Sequence, residues 1–127
     1  MRTDEFCRAD YVIPSLKEID LGFAGREKPN HAIHRRITAL KVGDPLRLIH
    51  ETRGYTLLTP DGQRIGQLAR GFTPPPGESL SASVHALVTW RKRDTRAEYL
   101  NSCQCETWEV VVPELVFGEG EMGDFGR

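Results

Sequence analysis

The sequence predicts a small, mainly β domain in which one antiparallel sheet curls into a barrel and helix is a minor component. Two observations carry this prediction. Along residues 80–90, apolar side chains alternate with polar ones, which is the period of a strand with one buried face and one wet face. Five or six β-forming runs also follow one another at short spacing, with tight turns and no long helical pattern between them.

The elements follow in chain order. A short strand is expected at 35–40, where Ile37 and Leu40 are apolar, and five further strands are expected at 46–50, 55–59, 63–68, 80–91 and 108–117. Pro60-Asp61-Gly62 is the strongest hairpin signal in the chain. Residues 73–77 contain three consecutive prolines and form a stiff loop. Residues 91–101 are charged and predict a long loop or a single helical turn, and Pro113 places part of the last strand at an edge or a bulge.

The 127 residues divide into a lead segment (1–30), a barrel domain (31–117) and a flexible, acidic, glycine-rich tail (118–127). No apolar run approaches the roughly 18 residues that a membrane span needs. The charged start lacks the apolar stretch of a secretory signal. The chain is therefore expected to be cytoplasmic, without a membrane partner.

The charge is distributed unevenly along the chain, although the formal net charge is −1. Residues 31–100 carry eleven Lys or Arg against six acids, a net of +5, whereas residues 101–127 carry one Arg against six acids, a net of −5. Such asymmetry favours a polyanionic partner. An uneven but merely solvated surface explains it equally well.

Catalytic and metal-binding patterns are weak. The chain has no Gly-x-Ser-x-Gly and no P-loop, and its four histidines are scattered, so we expect neither an enzyme nor a cofactor. His31 and His34, with Cys103 and Cys105, would make a Cys₂His₂ set. Structural zinc sites more often space their cysteines by two to four residues, which favours an incidental arrangement.

Basic residues interleaved with aromatic ones are the remaining functional signal. Charges for phosphates and rings for base stacking are what a nucleic-acid single strand requires. Trp90 is in phase with Val88, so a core position and a stacking platform are both open to it. The predicted nucleic-acid-binding residues are Arg35, Arg36, Lys41, Tyr55, Arg64, Arg70, Trp90, Arg91, Lys92 and Arg93.

The runs from Leu40 to Leu46 and from Leu57 to Arg70 resemble the HIRAN domain, whose hairpin ends in an "iG-x-l-x-R" element; here that element is Ile65-Gly66-Gln67-Leu68-Ala69-Arg70. The run from Trp108 to Phe117 is similar to the C-terminal tail of bacterial RecQ-type helicases. The resemblance covers residues 34–117. It implies a small barrel of the OB type attached to DNA helicases and nucleases. The residues that correspond to positions of the family are Arg64, Ile65, Gly66 and Arg70.

The resemblance does not extend to the end-binding pocket of that family. HIRAN sequences have an Asn-x-x-Asp-x-x-Ala element before this hairpin, whereas residues 50–57 here contain neither Asn nor Asp. We therefore expect an accessory module that binds single-stranded or junction DNA, or RNA, beside a helicase or nuclease in cis or in trans. The alternative is a protein-docking module that uses an exposed edge strand near Pro113 and the acidic tail.

Overall fold

A computed structural model of the protein describes residues 9–119. Its strands are β1 (Ala9–Val12), β2 (Pro45–Glu51), β3 (Gly54–Leu58), β4 (Arg64–Gln67), β5 (Glu78–Arg91) and β6 (Thr107–Gly118). The helix α1 spans Ala32–Thr38, and short 3₁₀ turns lie at Leu16–Glu18, Lys92–Asp94 and Ala97–Ser102. The strands form one antiparallel sheet in the order β1-β6-β5-β2-β3-β4, which confirms the mainly β prediction. Within residues 9–119, no helix has the length and apolar character needed to cross a membrane.

The five strands predicted from residue 46 onward are all present, with ends that differ by at most two residues. The hairpin between β3 and β4 turns at the predicted place. Gly62 has φ = +92°, a conformation that glycine adopts without a steric penalty, and the amide of Thr59 donates to the carbonyl of Gln63 at 2.9 Å. The tight turn that the Asp-Gly pair predicts is thus the one that joins these strands.

The sheet is not closed into a barrel, so the predicted barrel is wrong. The outer edge of β4 is hydrogen-bonded to the lead segment instead of to β6. The amide of Asp20 donates to the carbonyl of Gln67 at 2.9 Å, and the amide of Ala69 donates to the carbonyl of Glu18 at 2.8 Å. The sheet curls far enough for β4 to contact β6, and α1 contacts both strands. Because residues 18–20 occupy the edge that closure would require, the sheet remains open.

The predicted strand at 35–40 is also wrong, because most of it belongs to α1. Ile33 and Ile37 are both buried, and their i,i+4 spacing places them on one side of a helix. The imidazole Nδ1 of His31 accepts a hydrogen bond from the amide of Ile33 at 3.0 Å, which satisfies one of the amides left unpaired at the helix start.

The alternation along β5 is interrupted twice. The register with β6 shifts between Ser79 and Ser81 and again between Val84 and Ala86. Leu80, which the period placed on the buried face, is 43% exposed. The second irregularity lies opposite Pro113, whose missing amide weakens the ladder there, so the predicted bulge is found at that position.

Part of the predicted lead segment lies in the core. Ile19 and Ala24 are buried in the same cluster as the sheet residues. Trp108, which is 4% exposed, donates its indole N–H to the carbonyl of Leu21 at 2.7 Å. The predicted tail beyond Glu119 lies outside the described residues, as do residues 1–8 with Cys7.

Candidate functional site

The strands β2 and β5 separate soon after they meet. They pair only at Pro45 with Ser83 and at Leu46 with Ala82, after which β2 continues with β3 alone. An open groove of about 990 Å³ is lined by the end of β5 and by parts of four other regions: the lead segment, the turn between β2 and β3, the stretch that follows β4, and the stretch between β5 and β6. The fold therefore brings together regions that are far apart in sequence.

Apolar side chains form a large part of the groove. Ile19 and Leu68 are buried and are fixed by the backbone pairing between the lead segment and the end of β4. Leu21 and Trp90 are half-buried and pack against the core. The charged residues of the lining are five bases and two acids: Lys17, Arg26, Arg53, Arg70 and Arg96, with Asp20 and Asp94.

Both acids of the groove are paired with arginine. Arg26 donates from Nη1 to Oδ1 of Asp20 at 3.1 Å, and this hydrogen bonding raises the pKa of Arg26. Arg91 donates from Nε to Oδ2 of Asp94 at 3.1 Å. Among residues 9–119, no acid forms an ion pair with Arg53 or Arg70. The groove therefore offers these two guanidinium groups to an anion.

Two aromatic residues also line the groove. Trp90 lies at the end of β5, opposite Trp108 in the register with β6, and is half-buried. It packs against the core and also lines the groove, so it combines the core position and the groove-facing position that the sequence left open. Tyr99, which lies on the 3₁₀ turn Ala97–Ser102, is 54% exposed. The phenol ring of Tyr99 and the indole of Trp90 thus line the same groove as Arg53 and Arg70.

The structure brings two of the ten sequence-predicted site residues into the groove, namely Arg70 and Trp90. Arg91 does not line the groove but is hydrogen-bonded to Asp94, which does. Lys92 and Arg93 are the next two residues of the chain and do not line the groove either. The other predicted residues do not line the groove; they are Arg35, Arg36, Lys41, Tyr55 and Arg64. Arg35 and Arg36 lie on α1, and Lys41 lies in the loop before β2.

Two of those predicted residues are engaged elsewhere. Arg64 donates to both carboxylate oxygens of Glu51, at 3.0 Å each, and these bonds, with a further one from Thr56, lower the pKa of Glu51. Tyr55 stacks on His50 with ring centroids 4.3 Å apart and meets Phe72 edge-on at 5.7 Å. Tyr55 therefore has one ring face covered by His50.

Sequence reasoning missed five of the polar and aromatic groove residues: Lys17, Arg26, Arg53, Arg96 and Tyr99. Tyr99 carries the clearest signal that could have identified one of them, because it is the single aromatic residue in the charged stretch 91–101. Lys17 and Arg26 belong to the lead segment, and their place in the groove follows from its pairing with the end of β4.

The Cys₂His₂ set considered from the sequence is not assembled. Cys105 Sγ lies 3.5 Å from Nε2 of His34, and burial raises the pKa of this thiol. His31 instead caps α1, while Cys103 Sγ lies 3.7 Å from the carbonyl oxygen of Tyr99. In the described part of the chain, no group of three or more His, Cys, Asp or Glu is arranged to hold a metal ion.

Comparison with protein-family models, with curated proteins and with solved structures finds no match for this chain. The resemblance to HIRAN domains accordingly stays a prediction.

Proposed function

We propose that this chain is a nucleic-acid-binding accessory module that holds single-stranded or junction DNA in the groove, as part of helicase or repair machinery. One observation carries the proposal: Arg53 and Arg70, which have no acidic partner among residues 9–119, line the same open groove as the aromatic Trp90. The assignment to DNA and to helicase or repair machinery follows the HIRAN resemblance.

The groove combines the two chemistries that a single strand requires. Guanidinium groups bind phosphate oxygens and release condensed counterions, which gives affinity without sequence preference. Apolar and aromatic surface accepts the faces of unpaired bases, and every base has such a face. In a duplex the bases are stacked on one another, so Trp90 favours a strand whose bases are unpaired.

The docking alternative depends on the edge near Pro113. The strand β1 pairs only with residues 115–118 of β6, so within the described residues Pro113 has a strand partner on one side alone, in β5, and its side chain is buried. Of the two edge strands, β4 has its outer edge covered by residues 18–20. The acidic tail that this alternative also used lies beyond Glu119, outside the described residues.

The proposal is tested by titrating labelled DNA into the wild-type protein at low and at high salt. We expect a single strand and a forked junction to bind more tightly than a blunt duplex of the same length. The logarithm of the affinity should fall linearly with the logarithm of salt concentration, by roughly 0.7 for each phosphate bound on a single strand. Lack of binding to any of the three at low salt, even at high micromolar protein, would refute the proposal.

A further inference from the structure

The groove has one wall that is attached to the rest of the protein chiefly at its two ends. We call this wall, residues 92–103, the rim segment; it contains the two 3₁₀ turns that follow β5. At its start the amide of Lys92 donates to the carbonyl of Glu106 at 2.9 Å. Just beyond its end the amide of Gln104 donates to the carbonyl of Gly25 at 2.8 Å.

Between these anchors, the described backbone hydrogen bonds of the rim segment are internal. The amide of Thr95 donates to Lys92, that of Tyr99 to Arg96 and that of Cys103 to Leu100, at 2.9–3.1 Å. Neither 3₁₀ turn contains a buried residue. Few buried apolar contacts and local hydrogen bonds are the properties of a segment that moves at low energetic cost. The facing wall differs, because Ile19 and Leu68 are buried and paired through their backbones.

Tyr99 is the aromatic residue that the rim segment contributes to the groove. It is 54% exposed, whereas Trp90 at the end of β5 is half-buried. A ring of this exposure in water, on a 3₁₀ turn that contains no buried residue, gains from covering an apolar partner. Arg96, whose nearest acid is Glu98 at 3.9 Å, lies on the same wall and adds a positive charge beside it.

We propose that the rim segment closes over the bound strand and that Tyr99 stacks on one of its bases, while Trp90 contacts bases from the fixed wall. This inference rests on the proposed function and deepens it. It makes Tyr99 a second residue, besides Trp90, through which the site distinguishes a strand with unpaired bases from a bare chain of phosphates. Closure of this kind orders a segment at the moment of binding.

The test compares Tyr99→Ala, Tyr99→Phe and the wild type on two labelled strands of equal length, one normal and one abasic. On the normal strand, we expect Tyr99→Ala to bind about tenfold more weakly and Tyr99→Phe to bind like the wild type, because the ring supplies the contact. On the abasic strand, all three should bind alike. Tyr11→Ala is the matched control, since Tyr11 is 60% exposed on β1 and does not line the groove.

Hydrogen exchange supplies a second readout. The amides of the rim segment should exchange more slowly when the normal strand is bound, and they should be little changed by the abasic strand. If Tyr99→Ala binds the normal strand as the wild type does, or if it loses affinity equally for both strands, the inference is wrong while the proposed function stands. If the wild type binds neither strand, the proposed function fails and this inference fails with it.

Discussion

Replacing Gly25 by alanine is expected to destabilise the protein by about 3 kcal/mol, the upper part of the range for inserting a methyl group into a well-packed core. An added Cβ at this position would lie 2.5–2.7 Å from three atoms of the Trp108 ring. That ring is 4% exposed and its indole N–H donates to the carbonyl of Leu21, so it has little room to move aside. Thermal and denaturant unfolding measure the effect.

Gly71→Ala is the matched control for this substitution. No atom lies within 4 Å of the position that its Cβ would occupy, and its φ is not positive. This variant should unfold within about 1 kcal/mol of the wild type, with slight stabilisation from the stiffer unfolded chain. Equal midpoints for Gly25→Ala and the wild type would contradict the close contact between the lead segment and β6.

Replacing Arg53 and Arg70 together by glutamine is expected to weaken binding of a single strand and to reduce its salt dependence. Because both guanidinium groups lie in the groove without an acidic partner among residues 9–119, each is available to a phosphate. The slope of log affinity against log salt should shrink by about 0.7 for each phosphate that the variant no longer binds. Glutamine preserves the stem of the side chain, so folding should change by no more than about 0.5 kcal/mol.

The charge-matched control is Arg35→Gln with Arg47→Gln. Both arginines are exposed, one on α1 and the other on β2, and neither lines the groove. This pair should leave the slope within error of the wild-type value, although it removes the same net charge. If the two pairs weaken binding equally, the protein attracts DNA through its overall charge and the groove has no special role.

Five of the six strands, β2 to β6, could be predicted because each is a local pattern, whereas β1 was not predicted. The Asp61-Gly62 turn and the alternation in β5 depend on neighbouring residues alone. The open sheet could not be predicted in this way. The outer edge of β4 and the residues after it form backbone hydrogen bonds with residues 18–20 instead of with β6, and that pairing joins regions far apart in sequence. The helix α1 is too short for its pattern to stand out, because the i,i+4 pair of Ile33 and Ile37 is its only apolar repeat.

Two residues of the candidate groove could be predicted because they belong to local strand patterns. Trp90 and Arg70 each lie at or just beyond the end of a strand that the sequence identifies, and both line the groove. Arg53 lies in a turn and Tyr99 in the stretch between β5 and β6, and they line the same groove as Arg70 only because the chain folds distant regions together. The engagement of Arg64 by Glu51 depends on a contact between residues 13 positions apart and removes a guanidinium that composition alone counts as available.

The most direct measurement of the central claim is a titration of isotopically labelled protein with a short single strand, followed by amide and indole NMR shifts. The two tryptophans act as an internal comparison, because Trp90 lines the groove whereas the Trp108 indole is buried against Leu21. We expect the largest shifts at the Trp90 indole, at Arg53, at residues 67–70 and in the rim segment. Shifts concentrated on α1 around Arg35 and Arg36, with the Trp90 indole unchanged at saturation, would contradict the assignment of the groove as the binding site.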